Sequence, residues 1–364
     1  MPCPPLHFCL RTAMALCQNG TALLALPRRS AIFLTAWAML PGTTDAQART
    51  APAHTQTRKV TRPVLRVLTF DGAIKAAQEK ALFEPYAKKE NLNIVASAWN
   101  GSLEELAGQE NKTPDRWSAV MMETSSLRLG CSLNLLVRDP ADNSSNSCGE
   151  PITSIDFAMA WEMSYFDSAP DWTDFWDVAR HPGQRSLRRD PRTTLEIALL
   201  ADGVPPGGLY AVLSSRAGLE RAFRKLDQIR PYIVWWNTPA EATDIMKTNG
   251  ALMGIVPVAS MLSLPQQERQ HFGIFWPQRL SVTYAWGIPA TLKSDTTALN
   301  LVSWLELPEQ QSAFTAAWTA DAGSLPDLHT PAPVHVNDTF WTEHLADISI
   351  RFERWVNGQK LWDN

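Results

Sequence analysis

The sequence predicts an α/β protein of two lobes with a cleft between them. Three observations carry this. Two successive series alternate apolar, β-branched segments with segments of helical periodicity, the pattern of parallel sheets covered by helices. The chain has 364 residues, 45% hydrophobic and 19% charged, which suits two cores better than one. The N-terminus reads as an export leader, so the fold begins well inside the chain.

That leader has a basic pair, Arg28-Arg29, an apolar run over 31–40 and a small-residue site, Ala46-Gln47-Ala48. Together they predict a signal peptide over 1–48, with an apolar run too short to stay as a membrane anchor. Residues 49–63 are polar, basic and proline-containing and read as a flexible leader. The expected location is therefore the periplasm. Cys3, Cys9 and Cys17 leave with the leader. Cys131 and Cys148 remain and, in an exported chain, are expected to pair and close the polar loop RDPADNSSNS (138–147). A net charge of −4 gives no electrostatic footprint for nucleic acid.

The first series opens with VLRVLTF (64–70), a strand ending at Asp71-Gly72. A helix comes next, with Ile74, Ala77, Ala81, Leu82 and Tyr86 at helical spacing. LNIVASAW (92–99) and WSAVMME (117–123) read as strands around a helix at 102–108. The second series runs DFAMAWEM (strand), DWTDFWDV (helix), a helix begun within 185–203, LERAFRKLDQI (helix), YIVWW (strand), PAEATDIMKTNG (helix) and ALMGIVPV (strand). Helices around 296–305, 308–318 and 338–356 complete the chain.

The stretch RSLRRDPRTTLEIALLADG (185–203) crowds arginines against one acid. Asp190-Pro191 is a helix start, an acceptor at the cap followed by proline in the first turn, and Gly203 is a helix stop. Capping explains Asp190 without any ligand. Arg188, Arg189 and Arg192 either neutralise that acid or hold an anion.

Catalytic patterns are missing. There is no phosphate-cradling glycine loop, no G-x-S-x-G elbow and no H-E-x-x-H pair, and the seven histidines are scattered. No enzyme, no metal site and no cofactor is therefore expected. Paired cleft acids acting on a substrate stay open as an enzyme reading.

DWTDFWDVARHPGQRSLRRDPRTTLEIALLADGV, LERAFRKLDQIRPYIVWW and WGIPATLKSDTTALNLVSWLELPEQQSAF resemble the solute-binding proteins of ABC importers, in particular the spermidine/putrescine-binding branch. The resemblance covers roughly 64–360. It implies a type II periplasmic-binding-protein fold, with 64–157 and 286–325 in lobe 1 and 158–285 and 326–364 in lobe 2. It also implies a monomer that carries a small solute to membrane permease subunits, with an orphan solute sensor as the alternative. The cysteine pair sits where this branch often has one.

Carried over by position, the resemblance implies ligand contacts at Phe70, Asp71, Asn100, Glu123, Asp190, Trp236, Asn237, Tyr284 and Trp286. Taken by themselves, Phe70, Trp236 and Trp286 also read as core aromatics, and Asp71-Gly72 and Asn100-Gly101 as turns. Departures from the branch matter. Pro257-Val258-Ala259 stands where an aromatic-Asn-Gly segment is expected, and Tyr284 and Thr193 stand where carboxylates are expected. An amine or polyamine-like cation is the first expectation, with a long diamine short of partners and an anionic or zwitterionic solute as the alternative.

Overall fold

Both series end up in one sheet. The computed structural model describes residues 62–113, 116–139, 147–319 and 331–361. The expected signal peptide, all but the last two leader residues and the middle of the 138–147 loop lie outside the described residues. The strands are β1 (Val64–Thr69), β2 (Asn93–Ala98), β3 (Ala119–Glu123), β4 (Pro151–Glu162), β5 (Arg185–Arg188), β6 (Ile233–Trp236), β7 (Met253–Pro257), β8 (Phe272–Gly287) and β9 (Val334–His335).

Their order is β2-β1-β3-β8-β4-β7-β5-β6, with β9 beside β8. One wing reads β2-β1-β3 in parallel, closed by antiparallel β8. The other reads β6-β5-β7 in parallel, closed by antiparallel β4. Each wing thus repeats the same order, and the long antiparallel pair β4–β8 joins them. The result is a two-lobed α/β fold whose lobes share two crossover strands.

Local chemistry accounts for the helices. Asp171, Asp190, Ser215, Thr238, Asp295 and Asn337 each cap a helix by accepting a backbone N–H. The first helix passes from Ala73–Gln78 through a wider turn, Glu79–Phe83, into Glu84–Lys89. Pro85 has no N–H for the preceding turn, and the wider turn lets the helix run on through it.

Two strands depart from the sequence reading. The residues before Asp190 do not crowd a helix start; they form β5, between β6 and β7. Arg185 there is fully buried because its guanidinium donates to the carbonyls of Phe175 (2.6 Å), Gly183 (2.8 Å) and His181 (2.7 Å). β8 carries no clean alternation because Pro277 and Gln278 (φ 57°) form a bulge between the residues paired with Met159 and Phe157. The helix Thr124–Ser132 likewise carries no sequence signal of its own.

The last helix, Asp338–Val356, packs on the β6 wing through Phe352 and Trp355, whose rings meet Trp235 and Phe223 at 5.7 to 5.9 Å. Its first residue, Asp338, accepts from Thr283 of β8. A disulfide joins Cys131 to Cys148, as the sequence predicts, with Cα atoms 5.8 Å apart.

Candidate functional site

In open parallel sheets, ligands sit in the crevice outside the carboxyl ends of the strands. Here those ends converge from both wings. β3 ends in Glu123, β5 in Arg188 and β6 in Trp236, while Phe70 comes directly after β1. The helix Thr124–Ser132 starts from one side and the helix Pro191–Ala201 from the other.

Three buried charges, Glu123, Arg188 and Arg192, meet the half-buried Asp190 between the wings. Glu123 lies 2.5 Å from Arg188 through one oxygen and 2.8 Å from Arg192 through the other. At these distances both are close charge-assisted pairs that span the two wings. Asp190 pairs with Arg192 at 2.6 Å and with Arg188 at 3.6 Å. Arg192 also donates across the cleft to Ser126 Oγ (2.6 Å) and Ser125 Oγ (3.2 Å). Two guanidiniums and two carboxylates leave the cluster without net charge.

The chain reaches this arrangement through an unusual turn. Arg192 is extended (φ −65°, ψ 142°) and Thr193 has φ 66°, ψ −42°, so regular helix begins only after them. A β-branched residue at positive φ costs on the order of 1–3 kcal/mol, and such strain concentrates at ligand sites. Asp190 accepts the Arg192 backbone N–H at 2.9 Å and its Nε at 2.9 Å, which holds the turn and the guanidinium together.

The electrostatics come from burial and pairing. Burial opposes ionisation of Asp190, yet Arg192 and then Arg188 hold its carboxyl well below the usual carboxylate range. Burial likewise opposes the charge on Arg192, and Asp190 and Glu123 outweigh it and raise the guanidinium. Tyr284, opposite Glu123 in the β3–β8 register, has its phenol pushed up by burial and then by Glu123. Arg188 Nη1, Thr124 Oγ1 and Thr193 Oγ1 are buried without a hydrogen-bond partner among the described residues.

The residues expected from sequence divide into two groups. Glu123, Asp190 and Tyr284 come together, and Phe70 packs edge-on against Tyr284 at 5.3 Å. Trp236 stands beside Arg188 in the β5–β6 register and stacks on Phe157 at 6.0 Å. The others make local contacts, Asp71 beside a cavity lined from both wings. Asp71 is half-exposed and pairs with Lys75 at 3.2 Å. Asn100 accepts the Ser102 N–H in a turn whose Gly101 (φ 79°) lets the chain pass close to the Phe70 ring. The Asn237 N–H donates to Glu241 at 2.7 Å at the start of the helix Pro239–Lys247. Trp286 is a core residue against Phe83.

Of the three arginines near Asp190, Arg188 and Arg192 turn inward, whereas Arg189 turns out to Glu353 at 2.8 Å. Sequence reasoning misses Ser125 and Ser126; two serines after a strand carry no signal until the opposite wing supplies an arginine. Among the described residues no cluster of His, Cys, Asp and Glu is arranged to hold a metal ion, and no helix is long and apolar enough to cross a membrane. The cluster offers paired guanidiniums to a carboxylate and a buried carboxylate to a cation, which is equipment for binding.

Comparison with known proteins agrees. Residues 81–340 match the model of a family described as bacterial extracellular solute-binding protein. The chain is 30% identical over 319 residues to the gamma-aminobutyric acid-binding protein of Pseudomonas aeruginosa, covering 80% of this chain and 90% of that one. Among solved structures, the Atu4243-GABA receptor superposes with a TM-score of 0.65 at 22% identity, over 80% of this chain and 97% of that one. AgtB of A. tumefaciens R10, solved with agropinic acid, superposes with a TM-score of 0.69 at 18% identity, over 81% and 99%. At those identities the solved structures speak for the fold, that of type II periplasmic-binding proteins. With its family match and its curated relative, the chain belongs to the bacterial extracellular solute-binding proteins: it is the substrate-binding component of an ABC transporter for a small solute, and not an enzyme.

Proposed function

We propose that the solute is a zwitterionic amino acid with its ammonium and carboxylate at opposite ends of a short chain, of the gamma-aminobutyric acid (GABA) kind. In this reading the protein is exported by its signal peptide, captures the solute in the periplasm as a monomer and hands it to the permease. The lobes are 64–157 with 286–325, and 158–285 with 326–364. The contact set is Phe70, Glu123, Asp190, Trp236 and Tyr284, joined by Arg188 and Arg192.

The observation that carries the proposal is the neutral, largely buried cluster of Arg188, Arg192, Glu123 and Asp190 between the wings. A zwitterion adds no net charge to it. A simple amine or a simple carboxylate adds one uncompensated buried charge, at a cost of several kcal/mol. A polyamine brings two or more positive charges and no carboxylate to pair with the arginines, so it leaves the cluster further from neutrality. The GABA-binding relative supports the same chemistry.

Calorimetric titration of the purified protein with GABA, butyrate, butylamine, putrescine and spermidine tests this. GABA is expected to bind most tightly, and at 100 times its Kd to stabilise the fold by about 2.7 kcal/mol. Tighter binding of putrescine or spermidine would return the polyamine reading.

A further inference from the structure

We infer that Glu123 is the specificity-determining residue of the cleft: it rests on the arginine face that a ligand carboxylate uses, and when displaced it receives the ligand's ammonium. This deepens, and rests on, the zwitterion reading.

The two acids of the cluster are held very differently. Asp190 is bound within its own wing by the backbone N–H of Arg192, by its Nε and by its Nη2. It cannot leave without uncapping the helix Pro191–Ala201. Glu123 comes from the opposite wing and is held by Arg188 at 2.5 Å and Arg192 at 2.8 Å. Both of these contacts cross between the wings, and nothing ties Glu123 to its arginines within one stretch of chain as Asp190 is tied. Of the two carboxylates, Glu123 is therefore the one that can exchange.

Its place at the end of β3 determines the outcome of an exchange. The residue is 2% exposed, so a displaced carboxylate remains out of water and needs a cation. Tyr284 faces it across the β3–β8 ladder, and Arg188 and Arg192 face it from the other wing. Asp338 and Arg128 also act on this region. A carboxylate-only ligand would displace Glu123 and leave three negative charges against two positive ones. An ammonium-only ligand would draw Glu123 away and leave the arginines underpaired. A ligand with both charges restores pairing throughout.

The test compares Kd values for GABA and butyrate in the wild type, Glu123→Gln and Glu123→Asp. The wild type is expected to prefer GABA by about a hundredfold or more. In Glu123→Gln the preference should collapse to about tenfold or less, with butyrate binding tighter than in the wild type. Because two ligands are compared in one protein, a lower folded fraction cancels. Glu123→Asp keeps the charge but withdraws it by one methylene. It should retain the preference for zwitterions and move the best chain length from GABA to 5-aminovalerate. If the wild type binds GABA and Glu123→Gln keeps the full preference, or Glu123→Asp leaves the chain-length optimum unmoved, the role assigned to Glu123 is wrong. If the wild type binds no zwitterion, the functional reading itself fails first.

Discussion

Asp190 and Arg192 lock each other within a single turn of chain: Arg192 Nη2 meets Asp190 Oδ2 at 2.6 Å while its backbone N–H and Nε share Oδ1 at 2.9 Å. One carboxylate thus caps a helix and orients the arginine that crosses the cleft. The substitution Asp190→Asn keeps an acceptor for the cap but leaves two buried guanidiniums facing one acid. We expect it to cost about 3 kcal/mol of stability, since breaking a buried pair exposes its partner's desolvation. Urea denaturation would show the loss, and an unchanged midpoint would mean the ion pairs contribute nothing net.

Arg192 serves Asp190, Glu123, Ser125 and Ser126 at once. Lysine is a single point charge and cannot span those directions. Arg192→Lys should therefore weaken GABA binding by roughly tenfold to a hundredfold. Arg189→Ala, which removes only the exposed pair with Glu353, should leave the calorimetric Kd within about twofold.

Stability should also respond to pH through Glu196, which is fully buried. Its Oε1 accepts from Tyr210 (2.9 Å) and Trp341 (2.7 Å), and burial pushes its carboxyl from 4.5 up to about 7. The folded state then holds a proton that the unfolded chain releases near pH 4.5. This contribution is complete below that pH and is lost as pH rises toward 7, on the order of 3 kcal/mol in all. Glu196→Gln accepts the same two donors without titrating. Its stability measured from pH 4.5 to 7.5 should fall less steeply than that of the wild type; parallel curves would contradict the assignment.

The disulfide gives a separable prediction. Cys131 closes the far end of the helix whose first residues include Ser125 and Ser126. Opening it with the Cys131→Ser, Cys148→Ser pair should cost about 3 kcal/mol by freeing the unfolded chain, visible as a lower Tm. GABA affinity should stay within about threefold, because none of the charged side chains of the cleft depends on the bridge.

Much of the fold was legible one segment at a time. VLRVLTF, YIVWW and ALMGIVPV carry their own strand signal, and Asp190-Pro191 its own helix start. β5 was not legible, since four residues with an arginine at each end read as the approach to the helix begun at Asp190-Pro191. It is a strand because loop carbonyls satisfy Arg185 and the opposite wing satisfies Arg188. β8 hid behind Pro277, whose bulge interrupts the alternation that a strand is recognised by.

The site divides along the same line. By itself the sequence determined the α/β class, the doubled series, the absence of catalytic motifs and the residue types at the strand ends, because each depends on neighbours a few positions away. Only the tertiary structure decided that Glu123 and Asp190 face arginine, that Arg189 turns outward and that Asn100 and Asn237 serve local turns and caps. The reason is electrostatic. A buried charge takes its role from the charge set against it, and Glu123 meets its arginines only where the two wings come together, which the order of residues does not show.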